Sequence, residues 1–254
     1  MPRRIRLRSA GCYYHVIVKG NSGQIIFEDS SDYEFFIKTL RKVKGEIPFK
    51  LIAYCLMDNH VHLLLRDEED VLPEIMKKIE VIYSIYFNSK YERRGHLFYD
   101  RYRSIPINSE RQLAAVFRYI LNNPYKAGID SATGYRWGCF CEYSNSLNRC
   151  GVVDVDLGKE LFGGLEHIEK LIASFDPNDR SEAEELGVID KNRMFDSEAI
   201  AFMRDNYGEM IFSKLLSMNR KDRNDLLREL KSAGLSVRQI SRLTGISRSV
   251  VQRA

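Results

Sequence analysis

The spacing of apolar and polar positions divides the chain into short strands and amphipathic helices. Cys12–Lys19 alternates and is rich in Tyr and Val, which predicts a strand. Ser31-Asp32-Tyr33-Glu34 has the spacing of a capping box and opens a helix predicted to run to about Lys44, with Gly45 as its stop. Phe49–Met57 and His60–Leu65 are two apolar runs joined by Asp58-Asn59, the pattern of a β-hairpin, although such a turn usually wants Gly second. Pro73 suits the first turn of a helix reaching roughly Lys90, with Ile75, Ile79, Ile82, Tyr83 and Tyr86 on one face. Leu97–Ile107 alternates weakly and predicts a fourth strand. Ser109-Glu110-Arg111-Gln112 is a second capping box, and its helix ends at Asn123 because Pro124 follows.

The order strand, helix, strand, strand, helix, strand, helix predicts an α+β fold. Its core is a split βαβ, ferredoxin-like antiparallel sheet with helices on one face, spanning about residues 10–145. An all-helical C-terminal region follows. Residues 149–219 read as an acidic helical connector, with a break at Asp176-Pro177-Asn178-Asp179. In residues 220–254 a helix over Asn224–Lys231 ends at Ala233-Gly234. A third capping box, Ser236-Val237-Arg238-Gln239, opens a short helix to Leu243; Thr244-Gly245-Ile246 is a tight turn, and Ser247 can cap one more helix. This is helix-turn-helix spacing, with the last helix as reader of the major groove and Arg238 and Arg248 as candidate DNA contacts. A plain helical hairpin packed on the body would have the same spacing.

At 254 residues the chain can form one large domain or two smaller ones, and 44% hydrophobic with 29% charged residues is the composition of a globular protein. No apolar run approaches the ~18 residues needed to span a bilayer, and Tyr14, His15 and Lys19 interrupt the stretch after the basic N-terminus, so a signal peptide is not expected. Five cysteines, an odd number, suit a reducing cytoplasm; Cys139, Cys141 and Cys150 cluster without a common zinc spacing. Charge is uneven. Residues 1–150 hold 23 basic against 17 acidic side chains, residues 151–219 hold 7 against 15, and residues 220–254 hold 9 against 3. Two basic segments around an acidic one suggest two contacts with a polyanion.

Candidate chemistry starts at His60-Val61-His62. Successive strand side chains point to opposite faces, so His60 and His62 share a face and could form half of a metal site. An isolated His-x-His is more often two half-exposed histidines on an outer sheet face. A second segment changes the odds: Tyr119 and Asn123 lie four apart on the helix that ends at Pro124, so a phenol and an amide reach one region. Each alone is an ordinary packing or helix-end residue.

Together these segments resemble a known family. His60-Val61-His62 resembles the His-hydrophobic-His motif of HUH nucleases. Tyr119-Ile120-Leu121-Asn122-Asn123-Pro124-Tyr125-Lys126-Ala127-Gly128 is similar to the signature of REP-associated tyrosine transposases, as are Met57–His62 and Arg101-Tyr102-Arg103-Ser104. The resemblance covers about residues 8–145 and implies that residues 1–148 form a single-tyrosine nuclease domain. It implies a nucleophilic Tyr119 that forms a 5′-phosphotyrosine link with single-stranded, hairpin-bearing DNA. It implies a divalent cation, Mg²⁺ or Mn²⁺, on His60, His62 and Asn123. Arg3, Arg4, Lys19, Arg101, Arg103 and Arg118 are candidates for backbone phosphates, and Tyr99, Tyr102 and Tyr125 for stacking on unpaired bases. His15 and His96 lack the support to be ligands. The expected protein is cytoplasmic, a monomer or homodimer, and binds duplex DNA through its tail. The competing functions are a catalytically silent DNA-binding regulator and an RNA-binding ferredoxin-like module.

Overall fold

The computed structural model describes residues 8–99, 101–144, 150–176, 196–208, 210–235 and 237–254. Contacts divide the chain into two compact units, Met1–Leu186 and Gly187–Ala254. The acidic stretch 149–219 is therefore shared between them, and its Pro177 break lies outside the described residues.

The first unit is built on β1 (Tyr13–Lys19), α1 (Ser30–Glu46), β2 (Lys50–Met57), β3 (His60–Arg66), α2 (Leu72–Lys90) and β4 (Arg103–Ile107). The sheet order is β2-β3-β1-β4, with every neighbouring pair antiparallel. This is the ferredoxin-like arrangement expected. The strands alternate across the sheet. Tyr14, Val16, Val18, Val61, Leu63 and Leu65 form one buried face, and the two crossover helices α1 and α2 pack on each other. The opposite face carries His15, Ile17, His60, His62 and Leu64, and is covered by α3 (Glu110–Leu121).

Several boundaries differ from those predicted. Helix α1 is capped by Asp29, not Ser31: its carboxylate accepts from Ser31 N at 2.8 Å, while Asp32 closes the box on the Asp29 N–H. An anion at the positive end of the helix is the stronger cap. The helix also runs through Gly45 to Glu46. Pro48 stops it, because the preceding Ile47 must turn extended, at φ −128° and ψ 125°. Strand β4 shrinks to Arg103–Ile107, although Leu97 and Tyr99 also bond β1 and the residues after it, through Asn21 N to Leu97 O (2.8 Å) and Tyr99 N to Lys19 O (2.9 Å).

Two devices were not visible in the sequence. The outer edge of β2 is closed by backbone from beyond α3: Leu56 N donates to Trp137 O (3.1 Å), Cys139 N to Tyr54 O (3.1 Å) and Asp154 N to Leu51 O (2.8 Å). The Asp58-Asn59 turn does without glycine because neither residue has a positive φ. Its carbonyls accept from Gly20 N (2.9 Å), Ile26 N (2.7 Å) and Phe27 N (3.2 Å), so the turn is clamped from outside.

After α3 come α4 (Asn123–Lys126), α5 (Phe140–Tyr143), α6 (Val155–Phe162) and α7 (Leu165–Ala173). Helix α3 stops at Leu121, short of the predicted Asn123, and Pro124 sits at the start of α4 instead of simply ending the helix. Helix α6 lies against β2, and its last residue Phe162 stacks on Phe117 of α3 with centroids 4.1 Å apart, while α7 also lies against α3.

The second unit contains α8 (Asp196–Tyr207), α9 (Ile211–Ser217), α10 (Arg220–Ser232), α11 (Val237–Thr244) and α12 (Arg248–Arg253). Its own core gathers Met203, Leu215, Leu227, Leu230, Ile240 and Val251. The turn between α11 and α12 uses Gly245 at φ 74°, and Thr244 Oγ1 donates to Ile240 O while accepting from Ile246 N. The third predicted capping box begins at Ser236, outside the described residues. Ser247 stands at the start of α12 but makes no side-chain cap bond. Among the described residues no helix is long and apolar enough to cross a membrane.

Candidate functional site

Strand β3 fixes His60 and His62 on one face, and the Met57–His60 register fixes the start of that strand against β2. Strand β1 adds His15 to the same face, opposite Leu64 and diagonal to His62. Helix α3 brings Tyr119 over these rings, and α4 places Asn123 one turn later. The signature after Tyr119 has a local logic. Asn122 is the α3 C-cap, Pro124 opens α4, and Gly128 at φ 70° ends it, with Gly128 N bonded to Tyr125 O and Ile129 N to Pro124 O, both at 3.0 Å.

The rings form a tight group. His60 and His62 lie 5.0 Å apart by centroid, His62 and Tyr119 5.6 Å, and His15 and Tyr119 6.1 Å. His15 Nε2 and His62 Nδ1 are 2.9 Å apart. His60 Nδ1 lies 2.7 Å from Asn59 Oδ1. An amide oxygen only accepts, so His60 carries its proton on Nδ1 and keeps Nε2 as a lone pair. The Asn123 side chain hydrogen-bonds both the His60 ring and the Tyr119 side chain. His62 (3% exposed), Tyr119 (6%) and Asn123 (6%) are buried; His60 is half-buried at the rim.

Burial sets the protonation states. It lowers His60 from 6.5 to about 4, helped by the Lys19 charge, and it depresses His62 well below the ordinary value, with His15, His60, Lys19 and Lys126 adding to the effect. His15 falls to about 3 through burial and the Arg103 charge. All three rings are therefore neutral at pH 7. Burial also raises Tyr119 to about 12, against a downward pull from its Asn123 bond, so it is a protonated phenol at rest. The Lys126 Nζ lies 5.1 Å from the Tyr119 ring centroid.

Two neutral imidazole nitrogens and an amide oxygen are lone-pair donors of the kind that can hold a divalent cation. The donor set fits, because each histidine has its second ring nitrogen already committed to a neighbour. Among the described residues, no group of three or more His, Cys, Asp or Glu side chains is arranged to hold a metal, so a third ligand has to be an amide or come from outside. The clustered cysteines are free thiols.

The other predicted contacts scatter. Lys19 and Arg103 bring positive charge to the histidine face. Arg118 instead donates to Ser174 Oγ at 2.8 Å, which ties α3 to the end of α7. Arg101 lines a groove beside α2 with Tyr99, His96 and Ile85. Tyr99 and Tyr125 are exposed, but Tyr102 is buried at 7% exposure, so packing claims its ring and it has no free face for a base. Arg248 is exposed on α12 in the second unit. Arg3, Arg4 and the Arg238 side chain lie outside the described residues. Sequence reasoning underrated His15 and gave Lys126 no role. Alternation along β1 does put His15 on one face, but only the strand register shows that it meets His62.

The neutral histidines have a thermodynamic consequence. Unfolded, they take up protons near their ordinary 6.5; folded, His60 does so near 4 and His15 near 3. The unfolded state binds more protons in between, so stability is full above about pH 6.5 and falls as pH drops toward 4. Thermal melting at pH 7.5, 6, 5 and 4 should show this decline. His15→Phe should flatten it; an unchanged slope would mean the loss arises elsewhere.

Residues 8–123 match the family described as Transposase IS200 like, a span that includes His15, His60, His62, Tyr119 and Asn123. No curated protein matches the chain. The chain resembles solved structures, among them the following two. A REP-associated tyrosine transposase bound to a REP hairpin is 17% identical, with a TM-score of 0.49 over 57% of this chain and 86% of its own. A protein described as a transposase of Deinococcus radiodurans R1 is 22% identical, with a TM-score of 0.33 over 48% of this chain and 97% of its own.

Proposed function

We propose that this protein, whose residues 8–123 match the IS200-like transposases, is a single-tyrosine endonuclease that cuts and rejoins single-stranded, hairpin-bearing DNA. The observation that carries this reading is the meeting of a buried phenol, two neutral imidazoles and an amide at one point on the sheet. A merely structural cluster gains nothing from two adjacent histidines held neutral beside a tyrosine.

Tyr119 is the nucleophile. Its phenolic oxygen attacks a backbone phosphorus, the P–O3′ bond breaks, and the product is a 5′-phosphotyrosine link with a free 3′-hydroxyl. The phenol loses its proton during attack and the departing 3′-oxygen gains one. The bond energy stays in the covalent link, so rejoining is the reverse attack by a 3′-hydroxyl. His60, His62 and Asn123 would hold a divalent cation, which when bound polarises the phosphoryl oxygen and offsets developing negative charge. Asn123 orients the Tyr119 hydroxyl, and Lys126 favours the phenolate by its charge. Lys19 and Arg103 make the approach to the histidine face attractive to phosphate.

The test is incubation of the full chain with a hairpin-bearing single-stranded oligonucleotide and Mn²⁺, followed by denaturing electrophoresis. A 3′-labelled fragment that stays on the protein, with a free 3′-hydroxyl on the other fragment, is expected. Tight binding with no adduct would favour the silent regulator, and preference for an RNA oligonucleotide would favour the RNA-binding module.

The tail, residues 220–254, acts as a helix-turn-helix module for duplex DNA in this proposal, with Arg238 and Arg248 among its contacts. Two linked contacts raise the effective concentration of DNA at the nuclease. Deleting residues 220–254 should weaken binding and flatten its salt dependence, by about 0.7 to 0.9 in log–log slope for each lost phosphate contact. A salt titration of both forms on single- and double-stranded DNA checks this. Identical slopes and affinities would remove the tail from the DNA interface.

A further inference from the structure

The buried His15 has no part in the reaction as described, yet it sits in direct contact with one of the two motif histidines. It is fully buried, and its Nε2 lies 2.9 Å from His62 Nδ1 with the rings 5.1 Å apart and inclined at 28°. Its own Nδ1 has no hydrogen-bond partner among the described residues. A buried ring nitrogen without a partner is unfavourable. On this face, between Ile17 and the Leu64 position, an apolar side chain would fill the space without that penalty. The histidine therefore needs a reason other than packing.

Two imidazoles in nitrogen-to-nitrogen contact share one proton, and there are two ways to place it. If His15 donates from Nε2, His62 must carry its proton on Nε2, and the nitrogen away from His15 has no lone pair to offer. If His62 donates from Nδ1, its Nε2 is bare. The second arrangement makes His62 match His60, whose Nδ1 proton is held by Asn59 Oδ1. Asn59 and His15 then do the same task for the two histidines, one from the turn and one from the neighbouring strand.

We propose that His15 is a positioning residue: its Nε2 accepts the Nδ1 proton of His62 and so presents His62 with a bare Nε2 for a divalent cation. This rests on the metal-binding reading of His60 and His62 given above. Ligating histidines are oriented in this way by a neighbour that takes the second ring proton.

The test uses the full chain labelled with ¹⁵N in its histidine rings, first without metal. The nitrogen shifts of His62, assigned by its absence from His62→Gln, report which ring nitrogen holds the proton. The expected result is an Nδ1 proton in the native protein and a shift toward an Nε2 proton in His15→Phe. Titration with Mn²⁺, followed by the paramagnetic resonance of the free ion, should then show a loss of affinity of about 10- to 100-fold in His15→Phe. His15→Gln, whose amide oxygen can take the same proton, should recover a large part of it, and a purely structural role would predict no such rescue. An Nε2 proton on His62 in the native protein overturns the proposal, as does unchanged Mn²⁺ affinity in folded His15→Phe. If His15→Phe does not fold, the native ring shifts and His15→Gln still decide. If the native protein binds no Mn²⁺ at all, the metal reading fails, while the ring shifts separately decide whether His15 sets the His62 tautomer.

Discussion

Tyr119→Phe is expected to leave no covalent protein–DNA adduct on a hairpin-bearing oligonucleotide. The change removes one oxygen. The ring stays in place over His15 and His62, where its centroid lies 6.1 and 5.6 Å from theirs, so the packing of α3 on the sheet is kept. The lost bond to Asn123 should cost about 1 kcal/mol of stability, too little to unfold a domain of this size. Binding of DNA rests on other groups and should persist. Loss of adduct with retained binding therefore isolates the nucleophile. An adduct that survives in Tyr119→Phe would move the nucleophile elsewhere, and Tyr125, exposed on α4, is the next phenol to examine.

The second large effect concerns the histidines. His60→Ala or His62→Ala should lower cleavage by at least about 10²- to 10³-fold, the usual loss when a group that meets developing charge is removed. Chelation of divalent cations should do the same to the native protein. The two substitutions differ in their side effects. His60 sits at the rim, so its removal should barely change stability. His62 is 3% exposed and bonded to His15, so its removal leaves a cavity and a second unpartnered nitrogen on the His15 ring, and a lower melting temperature is expected. The measurement is single-turnover cleavage beside a melting curve for each variant. Full activity in chelator, or in the double variant, would end the metal-dependent reading.

Much of this was readable in the chain because the signals were local. The 2-residue period along β1 and the shared face of His60 and His62 on β3 followed from strand geometry alone, and the sheet keeps both. The meeting of His60, His62, Tyr119 and Asn123 followed from the paired motifs, not from periodicity. What stayed hidden depends on register and on contacts far apart in sequence. Alternation could not tell which strand His15 would face, because that requires the β1–β3 register that sets it against Leu64. Capping-box spacing pointed to Ser31, but the better anion stood two residues earlier, at Asp29. Tyr102 was offered as a stacking surface on residue type alone, and only burial removes it. The acidic composition of 149–219 described a charge, not a module; its two ends follow the apolar residues that each unit buries.

The three backbone bonds on the Asp58-Asn59 turn matter for what the two imidazoles can do. A hairpin tip is ordinarily among the most mobile parts of a sheet. Here Gly20, Ile26 and Phe27 hold it, and Tyr33 adds a bond from its hydroxyl to Asp58 Oδ1 at 2.7 Å. Most of the configurational entropy that would be lost when His60 and Asn59 settle around a ligand has already been removed in folding. Capture of an ion or a phosphate then resembles the closing of a preformed socket more than the ordering of a loop.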